Sequence, residues 1–221
     1  MNAQISQTHE DHRRIFDELK SQPISERKAL AKPKAIILCG QPGSGRSLEI
    51  PRVMQEFSES GAVLLDEGQR QDQPQSLFEE ALHGEKNLVI KATLPNRGLL
   101  KKLREEGYTT SVYVVSAHER ESLLSQYQKY EGQLATRGIG DKPNLAEHNE
   151  IYMKLPETLQ HIEEEGLIDE IVIRDRKGNE KYRNHQTNGR WENKLESSQA
   201  LEVSRNRAWT EEEIAKYQED W

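Results

Sequence analysis

A three-layer α/β sandwich, with a mostly parallel central sheet flanked by helices, is the fold class that this chain of 221 residues predicts. Three observations lead there. Short apolar runs recur at residues 35–39, 62–65, 87–90, 111–115 and 171–173, too brief for helices and typical of strands buried on both faces. Apolar residues at helical spacing separate them, and apolar strand, helix, apolar strand is the alternation of a parallel sheet with helical crossovers. A glycine-rich turn follows the first run directly.

In chain order, residues 7–30 are polar, with Ile15, Leu19 and Leu30 on loose helical spacing interrupted by Pro23, and predict one or two short helices. Residues 35–39 are the candidate central strand. Ile50, Val53, Met54 and Phe57 then repeat at helical spacing up to Gly61, and Leu99, Leu100 and Leu103 do the same up to Gly107. Residues 117–133 and 145–165 predict charged helices with narrow apolar stripes such as Leu155, Leu159 and Ile162, lying over the sheet or forming a lid. Arg176-Lys177-Gly178-Asn179 reads as the turn of a hairpin between 170–174 and 180–182. Beyond Arg183 the composition turns polar, which predicts an extended connector over 184–207. Thr210 and Glu213 then form a capping box for a last helix that Ile214 and Tyr217 would dock. The chain divides accordingly into an N-terminal helical extension (1–33), a domain (34–183) and a polar tail with a short C-terminal helix (184–221).

Composition narrows the function classes. The apolar fraction of 33% against 31% charged residues predicts a compact core surrounded by solvated tracts. No apolar run approaches the roughly 20 residues of a membrane span, and the first thirty residues lack the apolar stretch of a secretory signal, so the expectation is a cytoplasmic protein without a membrane segment. One cysteine and seven scattered histidines offer neither a disulfide nor a zinc site. A net charge of −7 without a basic aromatic stripe argues against nucleic acid as a partner, because phosphate neutralisation supplies most of that affinity.

The strongest chemical signal is Gly40-Gln41-Pro42-Gly43-Ser44-Gly45-Arg46-Ser47, which fits the phosphate-binding loop G-x-x-x-x-G-K-[ST] at every defined position but one. Glycines let backbone N–H groups wrap a phosphate, the helix that follows adds the positive end of its dipole, and the Ser47 hydroxyl can hold Mg²⁺. The loop therefore predicts binding of ATP or GTP in a P-loop NTPase-like fold. Arg46 is the departure. It keeps the positive charge of the usual lysine, but as a planar fork it can bind phosphate while misplacing the charge needed during transfer.

The chain resembles the zeta toxins, P-loop kinases of bacterial toxin–antitoxin systems that phosphorylate UDP-N-acetylglucosamine and related UDP-amino sugars. The resemblance spans about residues 34–183. Lys34-Ala35-Ile36-Ile37-Leu38 and the 40–47 loop look like the family's first strand and GQPGSGKS loop, and Glu67-Gly68-Gln69-Arg70 with Pro74 resembles its D-x-x-R-x-x-H-P segment. Leu88-Val89-Ile90-Lys91-Ala92-Thr93-Leu94 looks like V-I-E-G-T-L, and Gly107-Tyr108 like the G-Y before the fourth strand. His148-Asn149-Glu150-Ile151-Tyr152, Leu155-Pro156-Glu157-Thr158-Leu159 and the 171–182 hairpin match the family's C-terminal half.

By this resemblance Glu67, with Asp66 beside it, falls where the family's Asp takes the acceptor's proton, one methylene longer. Arg70, Lys91 and Thr93 fall on the substrate side, with Lys91 reversing the charge of the family's Glu. Of two lid arginines that neutralise the transferring phosphoryl group, Arg137 is the candidate for the second, while the first has only Gln126 nearby. The residues alone allow Lys91 to be an ion-pair partner of Glu67, and make His148 a helix-surface residue before a catalytic one. Trp191, Trp209 and Trp221 would dock onto the domain or a partner, and an antitoxin or other protein partner is implied. The leading reading is a zeta-toxin-like kinase, with activity impaired by its departures. The alternative is a catalytically degenerate P-loop protein that binds a nucleotide or another protein, and a kinase for another small hydroxylated substrate is a third.

Overall fold

The structure is a computed structural model that describes residues 32–66 and 75–220. The helices expected over 7–30, together with Glu67, Arg70 and Trp221, lie outside the described residues.

All five apolar runs form strands: β1 (Lys34–Cys39), β2 (Val63–Asp66), β3 (Leu88–Lys91), β4 (Thr109–Ser116) and β5 (Glu170–Asp175). Between and after them come α1 (Arg46–Gln55), α2 (Gln75–His83), α3 (Arg97–Glu105), α4 (Glu119–Arg137) and α5 (Leu145–Glu164). The sheet continues with β6 (Glu180–Thr187) and β7 (Arg190–Trp191), followed by α6 (Ser197–Arg205) and α7 (Glu211–Asp220). Strand order is β2-β3-β1-β4-β5-β6-β7. The first five pair in parallel, and β6 and β7 add on antiparallel.

The layering follows from β1. Its residues from Ala35 to Cys39 are fully buried, and successive side chains point to opposite faces. Ile36 and Leu38 meet Ile50 and Val53 of α1 on one face. Ala35, Ile37 and Cys39 share the other with Leu100 and Leu103 of α3, Leu155, Leu159 and Ile162 of α5, and Leu201 of α6. Helices thus cover both faces of a mostly parallel sheet, as the sequence predicts. Such a sheet gathers its ligand crevice at the carboxyl ends of its strands, where β1 runs into the 40–47 loop.

The C-terminal part departs from expectation. No extended connector fills 184–207: β6 crosses the expected boundary at 183, and α6 packs onto the core. The anchors are mostly polar, which is why hydrophobic periodicity does not reveal them. Asn184 is fully buried and donates to the carbonyls of Asn193 (3.2 Å) and Lys194 (3.3 Å). Ser197 donates through Oγ to Glu163 Oε2 at 2.7 Å, and Trp191 Nε1 donates to the Glu163 carbonyl at 3.0 Å. Arg205 donates to the Tyr152 carbonyl at 2.6 Å with its guanidinium 3.7 Å from the centre of the Tyr152 ring. The capping box of α7 forms as expected, with Glu213 N–H donating to Thr210 Oγ1 (3.2 Å) and Thr210 N–H to Glu213 Oε2 (3.0 Å). Ile214, however, stays 44% exposed. Tyr217 packs instead on Trp209, which sits edge-on to His118.

Candidate functional site

The loop between β1 and α1 closes on itself and on its neighbours through the backbone. Gly40 N–H donates to the Thr93 carbonyl (3.3 Å) and Ser44 N–H to the Gln41 carbonyl (3.0 Å). Helix α1 starts after Gly45, its N-cap, which has φ 101° in the left-handed region and supplies no side-chain cap. A glycine suits that conformation, and it leaves the positive end of the helix without the side-chain oxygen that would otherwise occupy it. Ser47 is the second residue of α1 and is exposed. The helix is held in direction by Glu49, a buried carboxylate that accepts from Arg174 of β5 at 2.6 Å and also pairs with Arg52.

The first turns of α4 form the back wall of the loop. The Ser122 carbonyl comes so close to Gly43 that a Cβ there would overlap it. Gln126 donates to the Pro42 carbonyl at 3.3 Å, so its side chain reaches the loop. Gln41 is fully buried, and its Nε2 donates to the Ala117 carbonyl at 2.8 Å. From the β5–β6 turn, Arg176 donates to the Glu121 carbonyl (3.2 Å) and Ser125 Oγ (2.8 Å), with its Nε 3.6 Å from where a Gly45 Cβ would stand. Burial pulls the Arg176 guanidinium below its ordinary pKa, with Glu121 opposing.

Opposite lie the ends of β2 and β3. The register sets Asp66 beside Lys91, and Lys91 Nζ donates to Asp66 Oδ2 at 3.1 Å. Lys91 therefore pairs with Asp66 among the described residues. Its ammonium is pulled below its ordinary pKa by burial, with Asp66 opposing and Arg46 reinforcing the shift. Arg46 donates to the Ala92 carbonyl. Thr93 is half-buried and joins the loop through its backbone. Arg137 is different: it is the last residue of α4 and exposed, followed by Gly138 as a left-handed C-cap. Among the described residues no hydrogen bond or ion pair joins Arg137 to the loop.

The arrangement gathers Arg46, Lys91 and Arg176 around an uncapped helix N-terminus, which is a setting for a polyphosphate. One observation supports that fit directly. Among the described residues, the buried side-chain atoms without a hydrogen-bond partner are Gln41 Oε1 and Ser44 Oγ, both in this loop. Orphaned buried polar atoms are rare, and here they mark a seat shaped for a polar occupant. Among the described residues no three His, Cys, Asp or Glu side chains converge into a metal site.

A family model described as zeta toxin matches residues 71–187, more than half of the chain. The chain belongs to the zeta toxin family. Curated zeta toxins of Streptococcus pyogenes (24% identical over 233 residues, covering 91% of this chain and 78% of the relative) and Enterococcus hirae (23% over 206 residues, 79% and 71%) are similar to it. A solved structure from the PezAT chromosomal toxin–antitoxin system of Streptococcus pneumoniae matches the fold with a TM-score of 0.73 and 20% identity, covering 96% of this chain and 92% of that one.

In this zeta toxin-family chain the residues missed in sequence are those behind the loop: Ser122, Arg176 and His148. His148 is fully buried, which corrects the expectation of a helix-surface residue. A signal for it existed. His148, Tyr152, Leu155, Leu159 and Ile162 follow one another at spacings of four and three, so His148 is in phase with the buried stripe of α5. Ser122 and Arg176 carry no comparable signal, because the side chains they meet, His148 and Gln41 for Ser122 and Ser125 for Arg176, are distant in sequence.

Proposed function

We propose that this chain is a kinase that transfers the γ-phosphoryl group of ATP or GTP to a hydroxyl of a UDP-amino sugar such as UDP-N-acetylglucosamine, with Mg²⁺ as cofactor. The observation that carries this reading is the loop itself, with an uncapped helix N-terminus and two orphaned buried polar atoms between β1 and α1. Loop amides and Arg46 hold the phosphates, and the Ser47 hydroxyl holds the metal. The bound cation would neutralise charge on the phosphate oxygens.

The acceptor oxygen bonds to the γ-phosphorus while the bond to the bridging oxygen breaks, and the nucleoside diphosphate leaves with that electron pair. The hydroxyl proton passes to a carboxylate at the end of β2. Asp66 is already engaged by Lys91, which leaves Glu67 as the base in this reading and Asp66 as its neighbour. Arg70, Lys91 and Thr93 form the acceptor side, and Arg137, exposed at the end of α4, is the lid cation of this reading. Because the similar proteins are zeta toxins and a toxin–antitoxin system, an antitoxin partner and a cytoplasmic location belong to the same reading. No helix among the described residues is long and apolar enough to cross a membrane.

The test is mass spectrometry of UDP-N-acetylglucosamine incubated with ATP, Mg²⁺ and either the wild type or Arg46→Lys. Phosphorylated sugar from the wild type supports the assignment. Product from Arg46→Lys alone means that the arginine silences an otherwise intact site. Product from neither rejects this acceptor.

A further inference from the structure

The loop is supported from behind by a chain of polar side chains that starts on α5. His148 Nε2 lies 2.7 Å from Ser122 Oγ, and Gln41 Nε2 lies 3.5 Å from the same oxygen, at the outer limit of a hydrogen bond. Each of the three side chains belongs to a different element, and each residue is fully buried. Ser122 Oγ also lies 2.8 Å from the Glu119 carbonyl and 3.2 Å from the His118 carbonyl of its own helix. A hydroxyl has one proton and two lone pairs. His148 Nδ1 lies 3.0 Å from Asn149 Oδ1, which can only accept, so the ring donates there from Nδ1–H and accepts at Nε2 from the Ser122 hydroxyl, while a Ser122 lone pair accepts from Gln41 Nε2–H. Both ends of the imidazole are thereby engaged.

We infer that His148 is a positioning residue for the phosphate loop, acting through Ser122. Ser122 meets the loop twice, through its hydroxyl at Gln41 and through its carbonyl against Gly43. A shift of α4 at Ser122 is therefore a shift of the loop wall. Arg176 holds the helix backbone at the Glu121 carbonyl and the next turn at Ser125, and His148 holds the Ser122 side chain from the α5 side. The consequence for catalysis rests on the kinase reading of the loop. The consequence for loop order does not.

The experiment compares wild type, His148→Ala, Ser122→Ala, His148→Gln and Ile162→Ala by amide hydrogen exchange in nucleotide-free protein, followed by titration with a non-hydrolysable ATP analogue and Mg²⁺. Ile162 lies on the same helix, is equally buried and faces the sheet core, so its truncation reports general loss of stability. The expected result is exchange at residues 40–47 about tenfold faster in His148→Ala and Ser122→Ala than in Ile162→Ala, the effect of one lost buried hydrogen bond. The double variant His148→Ala/Ser122→Ala should be no worse than either single one, and His148→Gln, which keeps an acceptor for the Ser122 hydroxyl, should recover most of the protection. Equal exchange in His148→Ala and Ile162→Ala overturns the inference. If these differences appear but the wild type binds no nucleotide analogue, His148 still supports the loop and it is the kinase reading that fails.

Discussion

The 40–47 loop and the strand ends that face it are held by different forces. The loop is fixed by backbone hydrogen bonds, by the overlap limit at Gly43 and by side chains buried behind it. The facing ends of β2 and β3 are fixed by charge, with Lys91 on Asp66 and Arg46 turned to the Ala92 carbonyl. A packed loop tolerates almost no change of shape. A charge pair tolerates change in its partners but alters what the site does chemically. A cradle can in this way keep its glycines while charged residues such as Arg46 and Lys91 set the chemistry around it.

The largest effect should follow from testing the packed side. Gly43→Ala combines a left-handed φ of 79° with overlap on the Ser122 carbonyl, and should lose more than about 2 kcal/mol in urea denaturation. Less than about 0.5 kcal/mol, the scale of an ordinary surface substitution, would show that the loop is not braced against α4. On the charged side, Lys91→Met removes the ammonium paired with Asp66, whose side chain is only 7% exposed, while Lys91 itself is 19% exposed. The expected loss is about 2 kcal/mol, below the range for a fully buried pair because Lys91 reaches solvent. Asp66→Asn combined with Lys91→Met should recover most of it. A double variant as unstable as the single one would mean that packing, and not charge, holds these strand ends.

Arg46→Lys sharpens the contrast through turnover. A lysine gives up the fork seated on the Ala92 carbonyl and offers a compact charge to the phosphates, so product formation should rise about tenfold with little change in thermal midpoint. The smallest effect lies far from both regions, at the C-terminal helix. Arg207 and the Thr210 N–H hold the Glu213 carboxyl down at about 2, from an ordinary 4.5. A depressed carboxylate contributes stability that is present above its unfolded value and lost as pH falls through its folded one. Trp209 fluorescence should therefore change between about pH 4.5 and 2 in the wild type, and Glu213→Gln should remove that transition.

The same contrast explains what could be read from sequence. The strands are legible because β1 is buried on both faces, so every position from Ala35 to Cys39 has to be apolar. The loop is legible because its glycines and Ser47 must follow one another along the chain. Helix α6 is not, because its apolar contacts are only Leu201 and the adjacent Ala200, with polar contacts such as Ser197 to Glu163 beside them. The loop wall was equally hidden. Gln41 meets Ser122 across 81 positions and Ser122 meets His148 across 26, distances that no local pattern encodes. The choice of Asp66 as the partner of Lys91 is set by the β2–β3 register, which appears only once the strands are paired.

The most direct test of the central claim is calorimetric titration of a non-hydrolysable ATP analogue with Mg²⁺ into the wild-type chain and into Gly43→Ala. Saturable binding of one nucleotide by the wild type, lost in Gly43→Ala, is the predicted result. No binding by the wild type, or equal binding by both proteins, would contradict the assignment of residues 40–47 as the nucleotide seat.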